Sequence, residues 1–257
     1  MNIIRSFLSA FSMFSALPVP TLAWRKDNMR FMLVFFPFVG VAVGIFVWCW
    51  LLLCRWLDFG VFLRAAGLTL VPIAITGGIH LDGLCDTVDA LASHAPVARK
   101  REILKDPHAG AFAIIGVAAY MLLYFGLASE LSDKSYTPLL LLLMYMMCRI
   151  LSALAVLLFP ESVQKGLLTS FRESADTRTS VIILLVFYIA VSAGLVAVGG
   201  LAGIAMLGTA LLCALYLFLM SRQSFEGMSG DLAGFFLQLT ELTMLAAIII
   251  VDKAVSL

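Results

Sequence analysis

Charge is scarce in this sequence. Only 13% of its 257 residues are Asp, Glu, Lys or Arg, against about 25% in a typical soluble domain. There is no long basic run to suggest nucleic acid as a partner, and the net charge of +1 says nothing about partners. The five cysteines, Cys49, Cys54, Cys85, Cys148 and Cys213, are odd in number and lack metal-type spacing. Four lie in or beside apolar runs, as packing thiols do. No repeat and no low-complexity tract is present. What remains is grease: 62% hydrophobic residues and a mean hydropathy of +1.05. Such a chain is a polytopic membrane protein, read here as one membrane domain over 1–257.

Apolar runs cover approximately 31–54, 62–80, 109–128, 138–159, 181–199, 201–220 and 233–251. Each approaches the roughly 20 residues that cross a bilayer as a helix. The expected fold is therefore all-α, a polytopic integral membrane bundle of about seven transmembrane helices. The second run is interrupted by Pro72 and Gly77-Gly78, which predicts a bent or partly re-entrant helix. Before the first run, Ile4, Phe7, Leu8, Phe11 and Phe14 share one helical face, while Arg5, Ser6, Ser9 and Ser12 share the other. This pattern predicts an interfacial amphipathic helix rather than a cleaved signal, ended by Pro18 and Pro20.

The few cations are unevenly placed. The segments 1–30, 81–108, 160–180 and 221–232 hold Arg5, Arg25, Lys26, Arg30, Arg99, Lys100, Arg101, Lys105, Lys165, Arg172, Arg178 and Arg222. The opposite segments hold only Arg55, Arg64, Lys134 and Lys253. The positive-inside rule makes the first set cytoplasmic.

That side carries the densest polar chemistry, Gly77-Gly78-Ile79-His80-Leu81-Asp82-Gly83-Leu84-Cys85-Asp86-Thr87-Val88-Asp89. On a helix, Asp82, Asp86 and Asp89 fall within about 60° of arc. Like charges so arranged repel unless a cation or protons neutralise them. Oxygen ligands suit magnesium or manganese, and a metal-diphosphate site is preferred to a merely solvated loop. His80 reads equally as a hydrogen-bonding residue or a base.

Other polar groups share that side or lie in spans. Lys105 precedes a span and would stabilise charge on a metal-bound diphosphate; Asp106 would add a ligand or cap the following helix. Arg149, inside the fourth run, needs an anionic partner, either phosphate or a structural one such as Glu241 in the seventh. Gly230 and Asp231 open the seventh run, where backbone N–H groups would hold phosphate or Asp231 would serve as an N-cap. The 160–180 loop, with Arg172, Glu173, Asp176 and Arg178, reads as solvated surface, with a lid as the other reading.

These segments together resemble the cobalamin synthase family, the adenosylcobinamide-GDP ribazoletransferases. The resemblance rests on Leu17-Pro18-Val19-Pro20, Phe36-Pro37-Phe38-Val39-Gly40, the acidic stretch, Ile103-Leu104-Lys105-Asp106 with Gly110, and Gly230-Asp231 through Glu241. They stand in the family's order. Pro107-His108, Met228 and Gln238 depart from the usual pattern. The resemblance implies a magnesium-dependent enzyme that joins adenosylcobinamide-GDP to alpha-ribazole or its 5'-phosphate and releases GMP. It implies magnesium at Asp82, Asp86 and Asp89, phosphate neutralisation by Lys105 and Arg149, and a proton acceptor in His80 or a carboxylate. Gly77, Gly78, Gly230, Asp231 and Glu241 are the expected substrate-binding positions. An oligomer is compatible with the sequence, which sets no oligomeric state. Competing readings are a CDP-alcohol phosphotransferase, an aspartate-rich prenyltransferase and a cation transporter. The first two lack their full motifs here, and the third predicts carboxylates deep in several spans.

Overall fold

The computed structural model describes residues 2–20, 22, 25–162 and 167–255. Among these residues there are twelve helices and no strand, only an isolated bridge between Glu161 and Met228. Six helices are long and apolar enough to cross a bilayer: α3 (Met32–Trp56), α7 (Ala111–Glu130), α8 (Thr137–Leu158), α10 (Thr177–Gly199), α11 (Leu201–Phe225) and α12 (Gly230–Val255). The second apolar run is divided. It forms α4 (Val61–Thr76), then turns by 98° into α5 (Ile79–Ala92).

Local chemistry makes that turn. Gly77 and Gly78 both have positive φ, 64° and 78°, a region that costs a side-chain-bearing residue energy. Their N–H groups close back on Ala74 and Ile73 carbonyls at 3.4 and 3.0 Å, the paired bonds of a Schellman C-terminus. After a right-angle turn, α5 no longer follows the α4 span. It runs outside the spanning segments, across the first turns of α7 and α12. The chain is a polytopic membrane helix bundle.

The centre of the bundle is α8, with 17 of its 22 residues buried. By contrast only four of 23 are buried in α10, and its outer face exposes Ile182, Val186 and Ile189. Similar exposed residues, Leu122 on α7 and Leu212 on α11, extend an apolar belt that water would not tolerate but lipid does. Inside, polar groups meet one another. Arg149 on α8 is 1% exposed and pairs with Glu241 on α12 at 2.8 Å. A Cβ at Gly40 on α3 would lie 2.8 Å from the Arg149 Cδ, so glycine leaves room for the guanidinium. Tyr124–Tyr145 and Tyr120–Gln238 hydrogen bonds join α7 to the same network.

The two ends differ. At one, Arg55–Asp133, Lys134–Asp252 and Lys253–Glu130 form ion pairs of 2.5–2.7 Å, and Arg64 donates to the Leu131 carbonyl. At the other lie α5, the short helices α1 (Asn2–Phe14), α2 (Lys26–Met29), α6 (Val97–Ile103) and α9 (Leu167–Ser174), and the larger set of cations. Two expectations change there. Ser6, assigned to the water-facing side of α1, is fully buried and accepts the Phe31 N–H at 3.4 Å, whereas Ile4 is 69% exposed. Packing against α3, not the polar–apolar contrast of α1 alone, sets its rotation. The 160–180 segment is also more than solvated loop. It includes α9, which buries Leu168 and Phe171, while Arg172 donates to the last carbonyls of α8 at Leu157 and Phe159. Lys165 lies outside the described residues.

Candidate active site

Two glycines bring the site's helices together. A Cβ at Gly83 would lie 2.6 Å from the Asp231 carbonyl oxygen, and one at Gly234 would lie 3.0 Å from that of His80. Without side chains at these positions, α5 and α12 cross backbone to backbone. The crossing sets Asp82 beside Asp231. Both line a cavity of about 390 Å³ at the α5 end of the bundle. His80, Lys105 and Gly230 also line it.

Asp82, Asp86 and Asp89 are all helical, and α5 presents them one turn apart as their spacing predicted. Asp82 is exposed; Asp86 and Asp89 are half-buried. Burial, then the Asp82, Asp231 and Asp89 carboxylates, push the Asp86 carboxyl up to about 6. An acidic ridge that holds a proton this firmly has a deficit of positive charge. The donors are all oxygens, which fits magnesium. Among the described residues no three His, Cys, Asp or Glu side chains converge on one point, so an all-protein cage is not built.

Asp89 has a second task. Its Oδ1 accepts the Ala113 N–H at 3.2 Å, and it lies where a Gly110 side chain would stand. It thus tethers the start of α7, the capping role considered for Asp106. Asp106 instead accepts the backbone N–H and ring Nδ1 of His108 at 3.0 and 2.8 Å. These bonds hold its carboxyl below the ordinary range, and Asp106 does not line the cavity. Ser229, not Asp231, caps α12: its Oγ accepts the Leu232 N–H at 3.3 Å.

Several further expectations are redistributed by the structure. Gly77 and Gly78 shape the turn and lie outside the cavity lining. Arg149 and Glu241 are occupied with each other, one turn deeper than the cavity-lining Ser152 and Ala153. His80 belongs to the first turn of α5, not to a preceding loop. It is 5% exposed, packs against Phe36 and Phe14, and its Nε2 has no hydrogen-bond partner. Burial, then the nearby Arg149 cation, lower its basicity well below the ordinary histidine value, so the ring is neutral.

Sequence reasoning missed part of the wall. Arg101 lines the cavity and pairs with Glu226 at 2.6 Å; the sequence showed it only as one of the many cations on that side. Glu161 and Ser162 arrive because the chain at 160–162 pairs with Met228, through Ser162 N–H to Met228 O at 3.2 Å and Met228 N–H to Pro160 O at 2.8 Å. A Cβ at Gly227 would collide with Glu161, so the glycine permits this pairing. Phe14 from α1 and Phe171 from α9 close the apolar side. The amphipathicity of α1 was the only signal for any of these.

Fold and site together define a polytopic membrane protein whose polar cavity, walled by carboxylates and cations, opens among helices at one end of the bundle. The family model described as cobalamin-5-phosphate synthase matches residues 6–249. A protein from Lachnoclostridium phytofermentans named adenosylcobinamide-GDP ribazoletransferase is 38% identical over 255 residues, covering 99% of this chain and 97% of its own. Similarly named proteins from Desulfitobacterium hafniense and Clostridium botulinum (strain Alaska E43) are 33% identical over 220 residues and 28% over 245. The first of these matches covers 82% of this chain and 83% of its own length, the second 94% and 95%. No solved structure matches the chain. The chain belongs to the cobalamin-5-phosphate synthase family.

Proposed function

We propose that this protein transfers the adenosylcobinamide phosphate moiety of adenosylcobinamide-GDP to alpha-ribazole or its 5'-phosphate, with release of GMP, as an enzyme of late cobalamin assembly. Family membership supports the reaction. The observation that carries the site is the shared cavity of Asp82, Asp231 and Lys105, since a diphosphate needs both metal-binding oxygens and a cation. Magnesium, when bound, supplies charge that stabilises the diphosphate and the departing GMP.

The reading gives magnesium to Asp82 and Asp86, while Asp89, tied to the Ala113 N–H, supports the ridge rather than joining them as a third ligand. A ribose hydroxyl forms a bond to the cobinamide-linked phosphorus as the bridging P–O bond to GMP breaks. Lys105 neutralises the phosphate oxygens, assisted by Arg101. The hydroxyl proton passes to a carboxylate, which the reading takes to be Asp231. His80 serves less well: its environment makes the ring a weak base. Arg149 acts through its pairing with Glu241 rather than on phosphate directly. Gly230 and Asp231, at the start of α12, offer backbone N–H groups to phosphate. A cavity of about 390 Å³ falls in the range of small-molecule sites.

The cation-rich end is assigned to the cytoplasm of a bacterial inner membrane, where nucleotide substrates are found. All four cations at the opposite end are tied to acidic groups or carbonyls, which supports that orientation. The test incubates purified protein in lipid with adenosylcobinamide-GDP, alpha-ribazole 5'-phosphate and magnesium, and measures GMP and the complete corrinoid nucleotide. Absence of both products across lipids and magnesium concentrations sinks the assignment.

A further inference from the structure

The cavity lining mixes charged groups, among them Asp82 and Lys105, with a cluster of four rings, Phe14, Phe36, Phe171 and His80. The His80 and Phe14 rings are stacked with centroids 6.3 Å apart, Phe36 lies 5.6 Å from His80, and Phe171 meets Phe14 edge-on at 6.2 Å. Three elements that share no local sequence signal, α1, α3 and α9, deliver the phenyl rings. Within this cluster, among the described residues, the buried Nε2 of His80 has no hydrogen-bond partner. A buried polar atom left unpaired is costly unless a ligand completes it.

We infer that this ring cluster is the seat of the acceptor's flat heterocyclic base, with His80 Nε2 hydrogen-bonded to that base. The inference rests on the proposed ribazole transfer and names which part of which substrate lies here. Two flat bases enter that reaction, the benzimidazole of the acceptor and the guanine of the donor. Guanine brings several donors and acceptors on its edges, which phenyl walls would leave unpaired. A benzimidazole joined to ribose through one nitrogen has a single free ring nitrogen. Neutral His80 with its proton on Nε2 donates to that nitrogen, and the phenyl rings take the apolar remainder. The ribose then extends towards the charged groups, where its hydroxyl meets the diphosphate.

The test measures equilibrium binding of alpha-ribazole 5'-phosphate and, separately, of adenosylcobinamide-GDP to the full-length protein in lipid nanodiscs. Wild type is compared with Phe171→Leu, which keeps an apolar side chain but removes the ring, and with His80→Phe, which keeps a ring but removes the donor. Loss of stacking or of the hydrogen bond should weaken the acceptor about tenfold in each variant. Donor affinity should stay within about twofold of wild type, which also reports that the variant is folded. Weakened donor binding with unchanged acceptor binding would place guanine in the slot and overturn the inference. So would unchanged binding of both substrates. Failure of wild type to bind or turn over alpha-ribazole 5'-phosphate would overturn the underlying reaction as well, and is recognised by that control alone.

Discussion

Gly83 and Asp231 meet with no side chain between them: a Cβ at residue 83 would sit 2.6 Å from the Asp231 carbonyl oxygen. Because the obstacle is backbone, rotamer change cannot relieve it. Gly83→Ala gains roughly 1 kcal/mol of helix propensity but forces apart the two helices that form the cavity, at a cost of about 1–3 kcal/mol. A lower melting temperature and GMP release reduced by at least about 100-fold are expected. Near-normal turnover would show that the α5–α12 contact does not set the site.

The aspartates should not be equivalent. Asp82→Asn and Asp86→Asn should each reduce turnover by about 100-fold or more. Asp89→Asn keeps an oxygen able to accept the Ala113 N–H, so about a tenth of activity or more should remain, while Asp89→Ala should also lower the melting temperature. Steady-state rates and thermal unfolding on the four variants decide this order. Equal losses in all three asparagine variants would give Asp89 the same role as its neighbours.

A carboxyl raised to about 6 predicts a pH dependence. The folded state keeps the Asp86 proton that the unfolded chain releases near the ordinary aspartate value of 3.8. Its stabilising effect is therefore present at low pH and is lost as pH rises through about 6, without metal. Magnesium must displace that proton, so its apparent affinity should fall as pH drops below about 6. Magnesium-induced thermal shifts should be larger at pH 7.5 than at pH 5.5, and this difference should shrink in Asp86→Asn.

Arg149 and Glu241 form a pair that is costly to halve. Glu241→Leu leaves a buried guanidinium unpaired and should destabilise by about 3–5 kcal/mol. The double variant Arg149→Met, Glu241→Leu should recover part of that loss. Thermal unfolding in one lipid composition tests this, and a double variant worse than the sum of the singles would point to a role for the charges beyond their mutual pairing.

Orientation can be read with a thiol label. A cysteine at the exposed Ala109, in a background lacking the five native cysteines, should react with an impermeant reagent only from the cytoplasmic side. Labelling from the periplasmic side would invert the proposed topology.

The sequence by itself determined the spanning helices, because roughly 20 apolar residues admit few other structures in a bilayer. It also determined the break at Gly77-Gly78 and the alignment of Asp82, Asp86 and Asp89, since turn chemistry and helical periodicity are local. Tertiary structure decided which polar residues meet. Arg101 was only one cation among many until the end of α11 brought Glu226 to it, and Asp89 became a tether because α7 starts beside it. Phe14 and Phe171, about 160 positions apart in the chain, face one cavity only because α1 and α9 pack over the same end of the bundle. Ser6 shows the same limit at one residue: periodicity placed it towards water, and packing against α3 buried it. Local rules give each helix its faces, while the contacts between helices decide what each face touches.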